Sequence, residues 1–106
     1  MKNLIKTSLV IGSLVFGGAS YASDFCHKYA EAAREVMELR QLDFRPDVVV
    51  RVSKKEFPEV EKHIESLTSY AFTFPEERNY SNKFKLAHLF SAKAHDGCMK
   101  SDLSGQ

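Results

Sequence analysis

From residue 24 onward the apolar and small positions recur at steps of three and four. Phe25, Cys26, Tyr29, Ala30, Ala33, Val36 and Met37, with Leu39 beside them, form one helical face. Lys28, Glu31, Arg34, Glu35 and Glu38 fill the other. The pattern predicts a helix over about 24–41, with Asp24 as its N-cap. Arg34 and Glu38, and likewise Asp24 and Lys28, are four apart and can pair along the surface. Asp43-Phe44-Arg45-Pro46-Asp47 then breaks the period.

The next run, Val48-Val49-Val50-Arg51-Val52, reads two ways. Four valines in five residues favour a strand by propensity. Pro46 and Asp47, placed in a first turn, favour a helix. A lone strand has no sheet to join, so a short helix is expected. Pro58 suits the first position of a third helix, and Val60, Ile64, Leu67 and Ala71 give it a face over about 58–71. Phe72-Thr73-Phe74-Pro75 ends it, because the residue before a proline is pushed out of the helical region. A last helix starts after Asn79 or Ser81 as cap and reaches about residue 100. Its stripe is Tyr80, Phe84, Ala87, Ser91, Ala94 and Cys98, widened by Leu86 and Phe90. The fold class is therefore all-α: a small bundle of about four helices, the second short.

The N-terminus has a different texture. Lys2 and Lys6 precede an uncharged apolar stretch from Thr7 to Gly18, and Ala19-Ser20-Tyr21-Ala22 follows. That is the order of a cleavable export signal, with small residues at the exit and the cut expected after Ala22. The apolar run is about a dozen residues, short of the roughly 20 that span a bilayer. Residues 1–22 are read as signal and 23–106 as a single domain, periplasmic or secreted. Removing 22 of 106 residues leaves 84, near the lower limit for a core that is stable without a staple. That remainder carries 13 basic and 14 acidic side chains, a formal charge of −1. Such a balance gives no reason to expect nucleic acid or a membrane surface as partner.

Cys26 and Cys98 are the only cysteines. In an oxidising compartment an even pair in a small domain reads as a disulfide. It would clamp the first and last helices antiparallel. Closing so long a loop stabilises by about 4–4.5 kcal/mol in the chain-entropy model. His27 and His95 stand near the cysteines, so a two-Cys, two-His zinc site is the alternative to the disulfide. His27, however, points about 100° away from Cys26 around the helix. The disulfide is preferred, with no metal and no cofactor expected. His63 and His88 are expected at the solvent or the rim. The paired carboxylates Glu59/Glu61 and Glu76/Glu77 read as helix-start charges. No nucleophile–base spacing, phosphate loop or C-x-x-C is present, so no catalytic residues are assigned and no enzyme is expected.

Tyr70-Ala71-Phe72-Thr73-Phe74-Pro75 has two readings: a plug for the open end of the bundle, or an apolar patch for a partner. Phe44 and Phe57, in other connections, share them. Phe44, Phe57, Phe72 and Phe74 are the candidate partner surface. Arg40 and Gln41 read as closing the first helix, meeting its dipole and terminal carbonyls.

Cys26-x-x-Tyr29-Ala30, Val36-Met37-x-x-Arg40-Gln41, Ala71-Phe72-x-x-Pro75, Phe90 and Cys98 together resemble a loose group of small exported bacterial and phage proteins. The resemblance covers most of residues 23–106. It implies a helical fold with paired end cysteines and brings no activity with it. Where the group's pattern places a glycine soon after the Arg-Gln pair, this chain has Leu42-Asp43.

Small size, an expected bridge, aromatics in the connections and no catalytic set point to a binding module for another extracytoplasmic protein. An immunity protein, an inhibitor or a superinfection-exclusion factor has this character. Two alternatives remain: an envelope acid-stress chaperone, motivated by 14 carboxylates and four histidines, and a carrier of a small ligand or metal.

Overall fold

In a computed structural model of the chain, the backbone is described over residues 4–101 and the side chains over 23–101. Four α-helices follow one another: α1 (Leu4–Gln41), α2 (Pro46–Glu56), α3 (Glu61–Ala71) and α4 (Tyr80–Ser101), with a 3₁₀ turn at Pro58–Val60 leading into α3. No strand occurs among the described residues. The valine run is helical, and α2 is longer than its valines. Pro46 occupies the first turn with Asp47 beside it. Only Val49 and Ser53 of this helix are fully buried, four residues apart on one side. α1 is continuous through Asp24, which is therefore not an N-cap in this chain. The export signal read at 1–22 falls on side chains outside the described residues. Among the described residues no helix is long and apolar enough to cross a membrane.

α1 is the central element and packs against each of the other three helices, whereas α4 packs closely only on α1. Ala32 and Ala33 explain how this is possible. They point about 100° apart around the helix, yet both are fully buried, so α1 is covered on more than one side. A small side chain lets a neighbouring helix approach closely. Met37, Val36, Val49, Val60 and Ile64 fill the space between α1, α2 and α3 with no exposed area beyond 1%. Ala87 and Phe90 bring α4 into the same cluster.

The disulfide joins Cys26 to Cys98, with Cα atoms 5.6 Å apart, across a separation of 72 residues. It fixes α4 antiparallel to α1. Fifteen residues further along α1, Gln41 meets Lys83, fifteen residues back along α4, at 2.6 Å. The two helices thus keep register over about 22 Å.

The turn out of α1 shows what the missing glycine means. The Asp43 N–H donates to the Arg40 carbonyl at 3.0 Å and the Phe44 N–H to the Leu39 carbonyl at 3.1 Å. These are the two bonds of a Schellman ending, whose penultimate position is left-handed and favours glycine. Asp43 holds that position at φ 70°, the one positive-φ non-glycine residue among those described. Aspartate tolerates it better than most side chains do. The geometry is kept, and the chain carries its strain. At the start of α4 the Asn79 side chain accepts from the Asn82 N–H at 3.2 Å, which settles the cap on Asn79.

Two stability measurements test this account. Replacing both cysteines by serine should destabilise the fold by about 4 kcal/mol, read by urea unfolding. Asp43→Gly should raise stability by about 0.5–1 kcal/mol, since relief of the left-handed strain outweighs the added freedom of the unfolded chain. A loss of stability in D43G would contradict the strain.

Candidate functional site

The end of the bundle away from the disulfide is built on the last turn of α1. Gln41 is 1% exposed, and its amide is used on both sides. Nε2 donates to the Pro75 carbonyl at 3.0 Å and lies 3.6 Å from the Met37 sulfur. Oε1 accepts from the Glu77 N–H at 2.7 Å. The Gln41 carbonyl, left open by the end of the helix, accepts from Lys83 Nζ, which also meets Glu76 at 3.3 Å. Arg40 donates to the Phe74 carbonyl at 3.0 Å and lays its guanidinium over the Phe72 ring, 4.8 Å from its centre. Two adjacent side chains therefore wire the 72–77 connection to α1.

This corrects the reading of Arg40 and Gln41 as caps of their own helix. They do bind carbonyls, but those of Phe74 and Pro75, 34 residues on. A signal was available: Gln41 stands four residues after Met37, on the apolar stripe, where a polar side chain needs a buried partner. The segments Arg40-Gln41 and Ala71-Phe72-x-x-Pro75, far apart in sequence, meet here.

Above this network lies a cleft of about 80 Å³ lined by Glu38, Gln41, Leu42, Tyr80, Lys83 and Phe84. Its apolar rim is open to solvent: Leu42 is 52%, Tyr80 62% and Phe84 44% exposed. Tyr80 and Phe84 were expected in the inward stripe of the last helix. Tyr80, in the first turn of α4, lies beyond the level of Lys83 at which α1 ends; Phe84 lines the cleft beside Glu38 and Gln41 of α1. The two rings meet each other edge to face at 4.9 Å instead.

The four aromatics read as a partner surface are placed differently. Phe44 is exposed, at 42%. Phe57, Phe72 and Phe74 are half-buried and packed against the core. Phe72 lies under Arg40, and Phe74 meets Tyr70 at 5.4 Å and Phe90 at 5.7 Å. The 70–75 segment thus plugs the bundle, with the Tyr70 ring stacked outside Phe90 at 5.6 Å. Phe44 precedes α2 and Phe57 follows it, so 11 residues of helix, roughly 16 Å, separate them. The four do not form one face.

The histidines are dispersed. His27 and His95 line a shallow groove between α1 and α4 with Glu31, Arg34 and Ser91, and His27 Nε2 lies 3.2 Å from Glu31. The cysteines are bonded to each other, so the zinc arrangement has no thiolates. Among the described residues no cluster of three or more His, Cys, Asp or Glu could hold a metal. His63 sits at the rim, edge-on to Phe25 at 5.9 Å and Tyr29 at 5.6 Å. Burial, with Lys62 beside it, lowers its pKa. Burial raises that of the Tyr29 phenol. His88 is exposed. No family model, curated protein or solved structure matches the chain.

The arrangement presents an apolar rim on a braced frame. Gln41→Leu should keep the volume but strand the Pro75 carbonyl and the Glu77 N–H, destabilising by about 1–3 kcal/mol. Amide exchange should show the Glu77 N–H losing protection. Unchanged protection at Glu77 would show that Gln41 does not hold the connection.

Proposed function

We propose that the protein is an extracytoplasmic binding module that docks on another protein and modulates it, as an inhibitor, immunity protein or superinfection-exclusion factor does. The observation that carries this reading is the exposed rim of Leu42, Tyr80 and Phe84 around a cleft on a cross-braced frame. Large apolar side chains grouped in the open mark interaction sites more often than lone ones do. Tyrosine is also frequent among the residues that dominate binding. Lys83 is engaged by Glu76 and the Gln41 carbonyl, and Glu38 is 3.9 Å from Arg34. The Glu38 carboxylate lines the cleft beside the rim. The partner face that fits is apolar, with a cation beside it. An internal disulfide suits an oxidising compartment outside the cytoplasm, and periplasmic or secreted residence is part of the proposal.

A crosslinking pull-down of the tagged protein from native envelope extract tests this, with a Tyr80→Ala/Phe84→Ala variant alongside. One dominant partner should be captured by the wild type. The variant should lose affinity at least about 30-fold, the equivalent of about 2 kcal/mol at an aromatic anchor, with an unfolding midpoint close to wild type. Equal capture by both proteins would remove the rim from the interface. A diffuse set of clients that grows as pH falls would favour the chaperone alternative, and no partner at any pH would overturn the module.

A further inference from the structure

α3 and α4 both pack on α1 but not closely on each other. Between them runs a groove of about 300 Å³, within the size range of small-molecule sites. Leu67, Phe90 and Cys98 floor it, each at most 5% exposed. Tyr29 and Tyr70 stand along it. The Tyr70 ring stacks on Phe90 at 5.6 Å, and more than half of Tyr70 stays open to solvent. Gly97 lines the same groove, near the end of α4. A glycine inside a helix has more freedom to lose than any other residue. A left-handed turn or a close neighbour is the usual reason for one, and neither holds here. Its φ is not positive, and a Cβ built on it meets nothing within 4 Å among the described residues. What this glycine leaves is open space in the groove wall.

The polar groups of the groove are donors without acceptors. Lys93 is the one charged side chain among the described residues that line it. Lys28, Lys54, Lys83 and Lys100 each lie within 3.5 Å of a carboxylate. Lys93 is exposed and has no ion pair or hydrogen bond among the described residues. The Tyr29 hydroxyl has no hydrogen bond among them either, and burial raises its pKa, so it keeps its proton to donate. We propose that the groove binds a small flat compound carrying one carboxylate: its ring lies against Tyr70 and Phe90 in the space beside Gly97, and its carboxylate meets the Lys93 ammonium and the Tyr29 hydroxyl. Aromatic walls favour a ring, by offset stacking or edge contact. An ammonium and a phenol favour an anion, because hydrogen bonds to a charged acceptor are the stronger ones. The groove reaches Cys98 at the disulfide end, whereas the rim of Leu42, Tyr80 and Phe84 lies at the other. The two sites are separate, and either stands without the other.

Titration of the intact protein with 2-naphthoate, followed by amide chemical shifts, tests the site, with 2-naphthylmethanol as the uncharged control. The acid should give saturable shifts at Gly97, Cys98 and Ser101 with a Kd of roughly 1 mM or tighter. The alcohol should bind about tenfold more weakly. Lys93→Gln and Tyr29→Phe should each weaken binding of the acid about tenfold, the loss of one hydrogen bond to a charged group. Gly97→Leu should abolish the saturable shifts while its unfolding midpoint stays at or above that of the wild type, since leucine is the better helix former and enters open space. Shifts that do not saturate by roughly 10 mM acid overturn the proposal. Equal affinity for acid and alcohol overturns the role of Lys93 and with it the ligand class. Unchanged binding to Gly97→Leu places the probe elsewhere. Dissociation of a wild-type dimer by Gly97→Leu, read by sedimentation, would assign the groove to a second copy of the chain and equally overturn the ligand.

Discussion

The antiparallel register between α1 and α4 is the constraint on which the rest of the molecule depends. It is held at both ends by bonds of different kinds: a covalent one from Cys26 to Cys98, and a polar one from Lys83 to the terminal carbonyl of α1. A slip of α4 by one residue would turn Ala87, Phe90 and Ala94 about 100° away from α1. It would also leave the Gln41 carbonyl without its ammonium partner. Between the two ends, the Ser91 hydroxyl donates to the Ala30 carbonyl at 2.8 Å, a third tie across the same seam. With α4 held in this way, α2 and α3 need only cover the remaining side of α1.

Much of this was legible in the sequence, because the fold rests on periodicity. The stripes of α1, α3 and α4 identify the buried faces, and Val36, Met37, Ile64, Leu67, Ala87, Phe90 and Cys98 are buried as their spacing predicts. Pro46, Pro58 and Pro75 mark the joins. What was not legible depends on where one helix ends relative to another. Tyr80 continues the α4 stripe perfectly well; the level at which α1 stops leaves it in water. Arg40 and Gln41 look like caps because their true acceptors are brought near by the path of the 72–77 connection, which no local pattern encodes.

The end of the bundle is stiffened by the same residues that create its open rim. Gln41 and Arg40 tie down the backbone at Phe74, Pro75 and Glu77, so the start of α4 is anchored on both sides. A rim already fixed in place loses little conformational freedom when a partner arrives, and affinity gains from that directly. The Arg40 Nε, buried without a hydrogen-bond partner, shows that the network is not fully satisfied. The stacking of the guanidinium over Phe72 holds the side chain in a position where one of its donors has no acceptor.

The bridge also decides what a broken backbone would do. Cys26 and Cys98 lie near the two ends of residues 23–101, and all three connections between the helices fall within the span they enclose. A single peptide cut anywhere in that span yields two fragments that remain one covalent molecule. The cut ends stay within reach of their native contacts. For a small protein exposed to proteases, one scission is then a local injury, and a second must follow before any piece can diffuse away.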